Sequence, residues 1–238
     1  MRYLVLSIIF LSTHFTSNAQ FGKLVNKAKS SVAALAEDNT SLGLKEALNT
    51  GVSSAVSTLS AEGGYLNGAY KIAIPDEAQK IISVVKKVPG FQDVEVKLIN
   101  QMNQAAEFAA KEATPIFVNA IKNMSFTDAK NILFGADNAA TIYLETNTKI
   151  ELYTAFLPVI QKALDQVNAR TYWTSVVNAY NSVPFQRKLN PDLDDHVNNK
   201  ALDGLFGLIQ VKEAGIRTDV NQRTSPLLKD VFGKQDKK

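Results

Sequence analysis

The chain has 238 residues, 26 Lys and Arg against 23 Asp and Glu, two His and no Cys, for a formal charge of +3. That balance is too even for a nucleic-acid surface, and the missing thiols exclude disulfides, cysteine-ligated zinc, Cys–His nucleophilic pairs and covalent haem attachment through cysteine. A chain of this length can bury a substantial core by packing alone.

The first twenty residues, MRYLVLSIIFLSTHFTSNAQ, carry Arg2, an apolar run from Leu4 to Leu11, a polar stretch, then Ser17-Asn18-Ala19 before Gln20. This order predicts a secretory signal peptide over residues 1–19, cleaved after Ala19. The apolar run is shorter than the roughly 20 residues of a bilayer span, and no cysteine is present to carry a lipid anchor. Cleavage removes Arg2 and leaves 219 residues at +2. No later apolar run reaches the ~18 residues of a membrane span. The expected product is soluble and exported, periplasmic or secreted.

Residues 20–41 read as an amphipathic segment and linker. Lys23, Lys27 and Lys29 accompany Phe21, Leu24 and Val25, and the polar run Glu37-Asp38-Asn39-Thr40-Ser41 follows. Over 21–36 such a helix can touch an anionic membrane surface, or simply present a solvated face. Residues 42–233 predict one all-α domain of roughly nine to eleven helices, with apolar residues spaced by three and four. Within it, AEGGYLNGAYKIAIP (61–75) is rich in glycine and then alternates around Ile72 and Ile74, predicting a short extended segment near 70–74.

Val94, Leu98, Met102, Ala105 and Ala109 form the next helical stripe. The alanine-rich stretch 105–113 favours close helix approach over a cavity lining. Thr114-Pro115 predicts a new helix start or a kink. Ser125 with Asp128 three residues on predicts a capping box. In LFGADNAATIY (133–143), Gly135 offers a left-handed helix end and Asp137 a cap for the next helix. Asn138 and Thr141 are left over as possible ligand contacts.

Pro158 lies inside the following stripe and predicts a bend. Trp173, Tyr172 and Tyr180 could form an aromatic platform for a sugar or a ring, but Trp173 and Tyr180 share a helical face with Val176 and Val177, which points to core, and Tyr172, off that face, is left as a possible ligand contact. NPDLDDHVNN (190–199) reads first as a well-made helix start, with Asn190 capping, Pro191 following and three aspartates favoured by the macrodipole. Its alternative is a divalent-cation site of Asp192, Asp195 and His196. Ser225-Pro226 opens a last helix that Gly233 closes, and 234–238 form a charged tail.

Four stretches carry a resemblance: Leu44 to Leu48, Gly64-Tyr65-Leu66-Asn67, PIFVNAIKNMSFTDAKNILFGADNAATIYL (115–144), and Lys200 to Phe206. In that order they resemble an exported bacterial family catalogued as domain of unknown function 4197, over roughly residues 42–233. The resemblance implies an exported all-helical domain and supplies no activity or catalytic residue. One departure is His196, where the family pattern implies an aromatic residue.

Once the signal peptide is gone, His196 is the only histidine. No G-x-S-x-G elbow, H-E-x-x-H helix, phosphate loop or dinucleotide fingerprint is present. The reading leans away from an enzyme and expects no cofactor. It favours a non-enzymatic binding protein of the cell envelope, whose partner is an envelope protein or an apolar small molecule. The alternatives are a carboxylate- or metal-dependent enzyme at Asp192–His196 and a purely structural envelope protein.

Overall fold

The computed structural model describes residues 18–238 except Val88, Gly90, Val183, Gln186, Arg187, Pro191, Lys234, Gln235, Lys237 and Lys238. For residues 18–38 and for Asp76, Glu77, Val176 and Ala179 it describes the backbone alone. The expected signal peptide up to residue 17, and the side chains of the 21–36 segment, lie outside the described residues.

Among the described residues there are nine α-helices, one 3-10 turn and no strand. They are α1 (Asn18–Ser60), α2 (Asp76–Val85), α3 (Val94–Ala110), α4 (Ala113–Asn123), α5 (Phe126–Leu133), α6 (Ala139–Asp165), α7 (Ala169–Asn181), α8 (Leu193–Thr218), the 3-10 turn Val220–Gln222 and α9 (Pro226–Gly233). None of these helices is long and apolar enough to cross a membrane.

In α1, Leu44, Leu48, Val52, Ala55 and Leu59 recur every three or four residues and are all buried, which turns one face of the helix onto the core. That face meets α3, α4, α5, α8 and α9. The polar run 37–41, expected as a linker, lies inside this helix. No Gly or Pro occurs between Lys23 and Leu42, so nothing in the backbone forces a break there.

The helix ends at Ser60, and the turn after it passes through Gly63, whose φ of 74° suits a residue without a side chain. Gly64 then lies close against the last turn. A Cβ on it would stand 2.4 Å from the Thr58 carbonyl oxygen and 2.7 Å from that of Leu59. Gly64→Ala should therefore cost about 1–3 kcal/mol through a forced backbone shift. Urea unfolding should show a lower midpoint with an unchanged slope.

After this turn, residues 71–75 lie in no regular element. Ile72 and Ile74 are buried while Lys71 and Ala73 are exposed, the alternation that the sequence predicts. The segment has no neighbouring strand. Instead the buried Asn103 of α3 accepts from Ile72 N–H through Oδ1 and donates to the Ile72 carbonyl through Nδ2, both at 2.8 Å.

The centre of the domain is α6, packed between α3 and α8. Ala105, Ala106, Ala109 and Ala110 of α3, with Ala113, are fully buried, so the alanine-rich stretch serves close packing. The break before Pro115 falls at Lys111-Glu112, and Pro115 occupies the first turn of α4, where its missing N–H costs no helical bond. Phe117 of α4 meets Phe206 of α8 edge to face at 5.9 Å. The helix α6 continues through Pro158, which faces solvent.

At the C-terminus, the Ser225 hydroxyl caps α9 by accepting from Leu228 N–H at 3.2 Å. Arg223, only 2% exposed, donates to the carbonyls of Ile216 and Arg217 at the end of α8, where a cation suits the helix dipole. It also donates to Asp236 with two nitrogens. The segment expected as a charged tail is therefore anchored at Asp236.

Candidate functional site

The corner at 133–143 is a joint built from both sides. Ser125 forms the complete capping box of α5. Its hydroxyl accepts from Asp128 N–H at 3.1 Å, and its own N–H donates to Asp128 Oδ2 at 3.0 Å. Gly135 does not adopt the left-handed conformation expected of it, because Gly63 holds the positive φ among the described glycines. Its lack of a side chain matters for space instead, since a Cβ would stand 2.5 Å from the Asn131 carbonyl oxygen.

Asp137 makes no cap either; α6 has Asn138 as its N-cap, and the Asn138 side chain caps nothing. The N-terminus of α6 is closed by Glu213, which reaches across from α8. Its carboxylate accepts from Ala140 N–H at 3.0 Å, and from Thr141 N–H and Thr141 Oγ1 at 2.8 Å each. Thr141, 4% exposed, is thus buried with its hydroxyl engaged by Glu213. Arg217, one turn after Glu213, donates to Glu213 Oε1 through Nε and Nη2. It also donates to the carbonyls of Ile132 and Leu133 at the end of α5. An anion at a helix start and a cation at a helix end each match the local dipole.

The cluster expected to ligate a cation is divided among separate tasks. The Asp195 carboxylate accepts from Tyr153 Oη at 2.7 Å and from the amides of Asn190 and Asn199 at 2.9 Å each. The Tyr153 hydroxyl is pushed up to about 12, first by its hydrogen bond to Asp195 and then by burial. Asp192 is the N-cap residue of α8, and its N–H donates to Asn190 Oδ1. His196 faces the 71–75 segment, with Nε2 3.1 Å from the Ala73 carbonyl oxygen. Among the described residues, no three acidic or histidine side chains gather around one metal position. The stretch is a helix start, but the N-cap is Asp192 and not Asn190 as the sequence suggests, with Asp194 and Asp195 in the first turn, and neutral donors already occupy Asp195.

Since a carbonyl oxygen only accepts, the neutral His196 carries its proton on Nε2. Burial holds its pKa below the ordinary imidazole value, and Lys200 adds to the depression, while the Ala73 carbonyl and Asp195 oppose it. The unfolded chain then binds this proton more readily than the folded one. Stability should fall as pH drops below about 6.5 and level off once pH passes the folded pKa. Thermal melts between pH 8 and 5 should show a steeper loss for the wild type than for His196→Phe. Parallel losses would show that this histidine does not couple to folding.

Tyr172 is 56% exposed and packs edge to face on Phe91 at 6.3 Å. A small apolar recess between α1, α8 and α9, with Leu44, Val52, Ile209 and Phe232 in its walls, admits the centre of a water molecule over only about 20 Å³. That is room for about one water, too little for the apolar small molecule expected from the sequence.

The larger concavity lies elsewhere. Between α4, α5 and α6 a polar cleft of about 490 Å³ opens to solvent, within the range of about 300–1,000 Å³ usual for small-molecule sites. One wall is the face Ile116, Asn119, Ala120 and Asn123 of α4; the other is Tyr143, Asn147 and Glu151 of α6, with Asp128 of α5 at the end. Asn123 donates to Asn119 Oδ1 at 3.2 Å, and Asn147 donates to the Tyr143 carbonyl at 2.7 Å. The Glu151 carboxylate and the Asn147 side-chain oxygen Oδ1 have no partner among the described residues. Burial, and then the charge of Asp128, raise the Tyr143 hydroxyl above its ordinary range. Sequence reasoning singled out Asp128 only as a cap and missed the other cleft residues. Their signal was a polar i, i+4, i+8 row on α6, which alone reads as a solvated face.

No curated protein and no solved structure matches this chain. A family model described as protein of unknown function, DUF4197, matches residues 34–233, from inside α1 to the end of α9. The chain belongs to the DUF4197 family.

Proposed function

We propose that this chain is an exported, non-enzymatic binding domain of the cell envelope, and that it holds a polar ligand in the cleft between α4 and α6. The observation that carries the reading is a division of labour among polar groups. Glu213, Arg217, Arg223 and Asn103 are engaged with backbone at helix ends or at the 71–75 segment. The amides and carboxylates of the cleft keep free hydrogen-bonding capacity on a surface of ligand size. A convergent concavity with such groups supports binding, and the N-terminal signal pattern supports export.

The test is native mass spectrometry of the protein recovered from the cells that make it, together with sequencing of its N-terminus. The expected result is a chain beginning at Gln20 that retains a small polar molecule, with retention lost in Asn147→Ala. A chain recovered with its N-terminal segment intact would contradict export. A bound molecule unaffected by Asn147→Ala would contradict the assignment of the cleft.

A further inference from the structure

Resting on that reading, we infer that the cleft is a saccharide site and that its ligand is a short neutral oligosaccharide. The two walls carry donors and acceptors together: the Asn119 and Asn147 amides on opposite sides, the Glu151 carboxylate at one end and the free oxygen of Asp128 at the other. A sugar hydroxyl donates and accepts at once, and neighbouring hydroxyls present such pairs in a plane that a carboxamide or carboxylate can bridge. The half-buried Tyr143 lines the cleft, and its ring offers the apolar C–H face of a pyranose a surface to rest on.

Charge narrows the class. Asp128 and Glu151 line the cleft and, among the described residues, no Lys or Arg does, so phosphorylated, sulfated or carboxylated ligands meet like charge without a compensating cation. An extended peptide would need pockets for alternate side chains, and this cleft offers only the small contacts of Ile116 and Ala120. A bare metal ion is disfavoured because Asp128 Oδ2 already accepts from the Ser125 hydroxyl and N–H. The row from Tyr143 to Glu151 extends about 12 Å along α6 at 1.5 Å per residue, enough for more than one sugar ring.

The experiment is titration calorimetry of the chain from Gln20 with maltotetraose, cellotetraose, chitotetraose, tetragalacturonic acid and tetralysine. The expected result is binding of at least one neutral tetrasaccharide, weakened about tenfold or more by Glu151→Ala and by Asn147→Ala, with melting temperatures unchanged. No binding of any neutral tetrasaccharide, preference for the acid or the peptide, or affinity indifferent to both variants would overturn the inference. If native mass spectrometry meanwhile finds a non-saccharide molecule whose retention depends on Asn147, the cleft remains the binding site and the saccharide class falls.

Discussion

Glu213→Ala should destabilise the domain by about 3–5 kcal/mol, the cost of breaking a buried ion pair from one side. The substitution leaves Arg217, 11% exposed at its side chain, without its carboxylate. It also strips the acceptor from Ala140 N–H, Thr141 N–H and the Thr141 hydroxyl, each a buried group whose desolvation is no longer compensated. Arg217→Ala should cost less, because Glu213 would still be held by the N–H groups opening α6 while the α5 carbonyls lose only two donors. Urea unfolding of the two single variants and the double variant measures both the asymmetry and the coupling. A Glu213→Ala loss below about 1 kcal/mol, the range of a solvent-exposed pair, would mean that the corner is not closed in this way.

Asn103→Ala should cost about 3–4 kcal/mol, because one substitution leaves both Ile72 N–H and Ile72 C=O buried without partners, at about 1–3 kcal/mol each. The same amide also donates to the Ile99 carbonyl at 2.7 Å, which fixes its rotamer on α3. The side chain thus supplies the donor–acceptor pair that a neighbouring strand would have supplied. Asn103→Leu, closer in volume, should not restore stability, since it satisfies neither group. Hydrogen exchange at Ile72 in the wild type should report protection close to that of α3, and Asn103→Ala should abolish it.

Much of this fold was legible because helix physics is local. The spacing of Met102, Ala105 and Ala109, the Ser125 box and the Ser225 cap all depend on residues three or four apart, and each is found in place. The exposure of Tyr172 and the burial of Trp173 followed from the same period. What failed was what depends on distant chain. Glu213 and Arg217 were not singled out in the sequence, because two opposite charges four residues apart are common on helix surfaces and nothing local shows that they meet a corner more than 70 residues earlier. For the same reason Thr141 read as spare and Asp137 as a cap, and the spacing of Asp192, Asp195 and His196 did not show that Asp195 faces α6 and His196 the 71–75 segment. The cleft was hidden in a similar way. Asn119 and Asn123 form one polar row and Tyr143, Asn147 and Glu151 another, but only the packing of α4 against α6 turns two solvated faces into opposing walls.

The cleft's polar groups are expected to be dispensable for the fold, whereas the buried charges hold it. Urea unfolding of a chain carrying Asn119→Ala, Asn147→Ala and Glu151→Ala together should give a stability within about 0.5 kcal/mol per site of the wild type, as for exposed positions without a structural role. A loss as large as the several kcal/mol expected for Glu213→Ala would contradict it, and would return these residues to the scaffold.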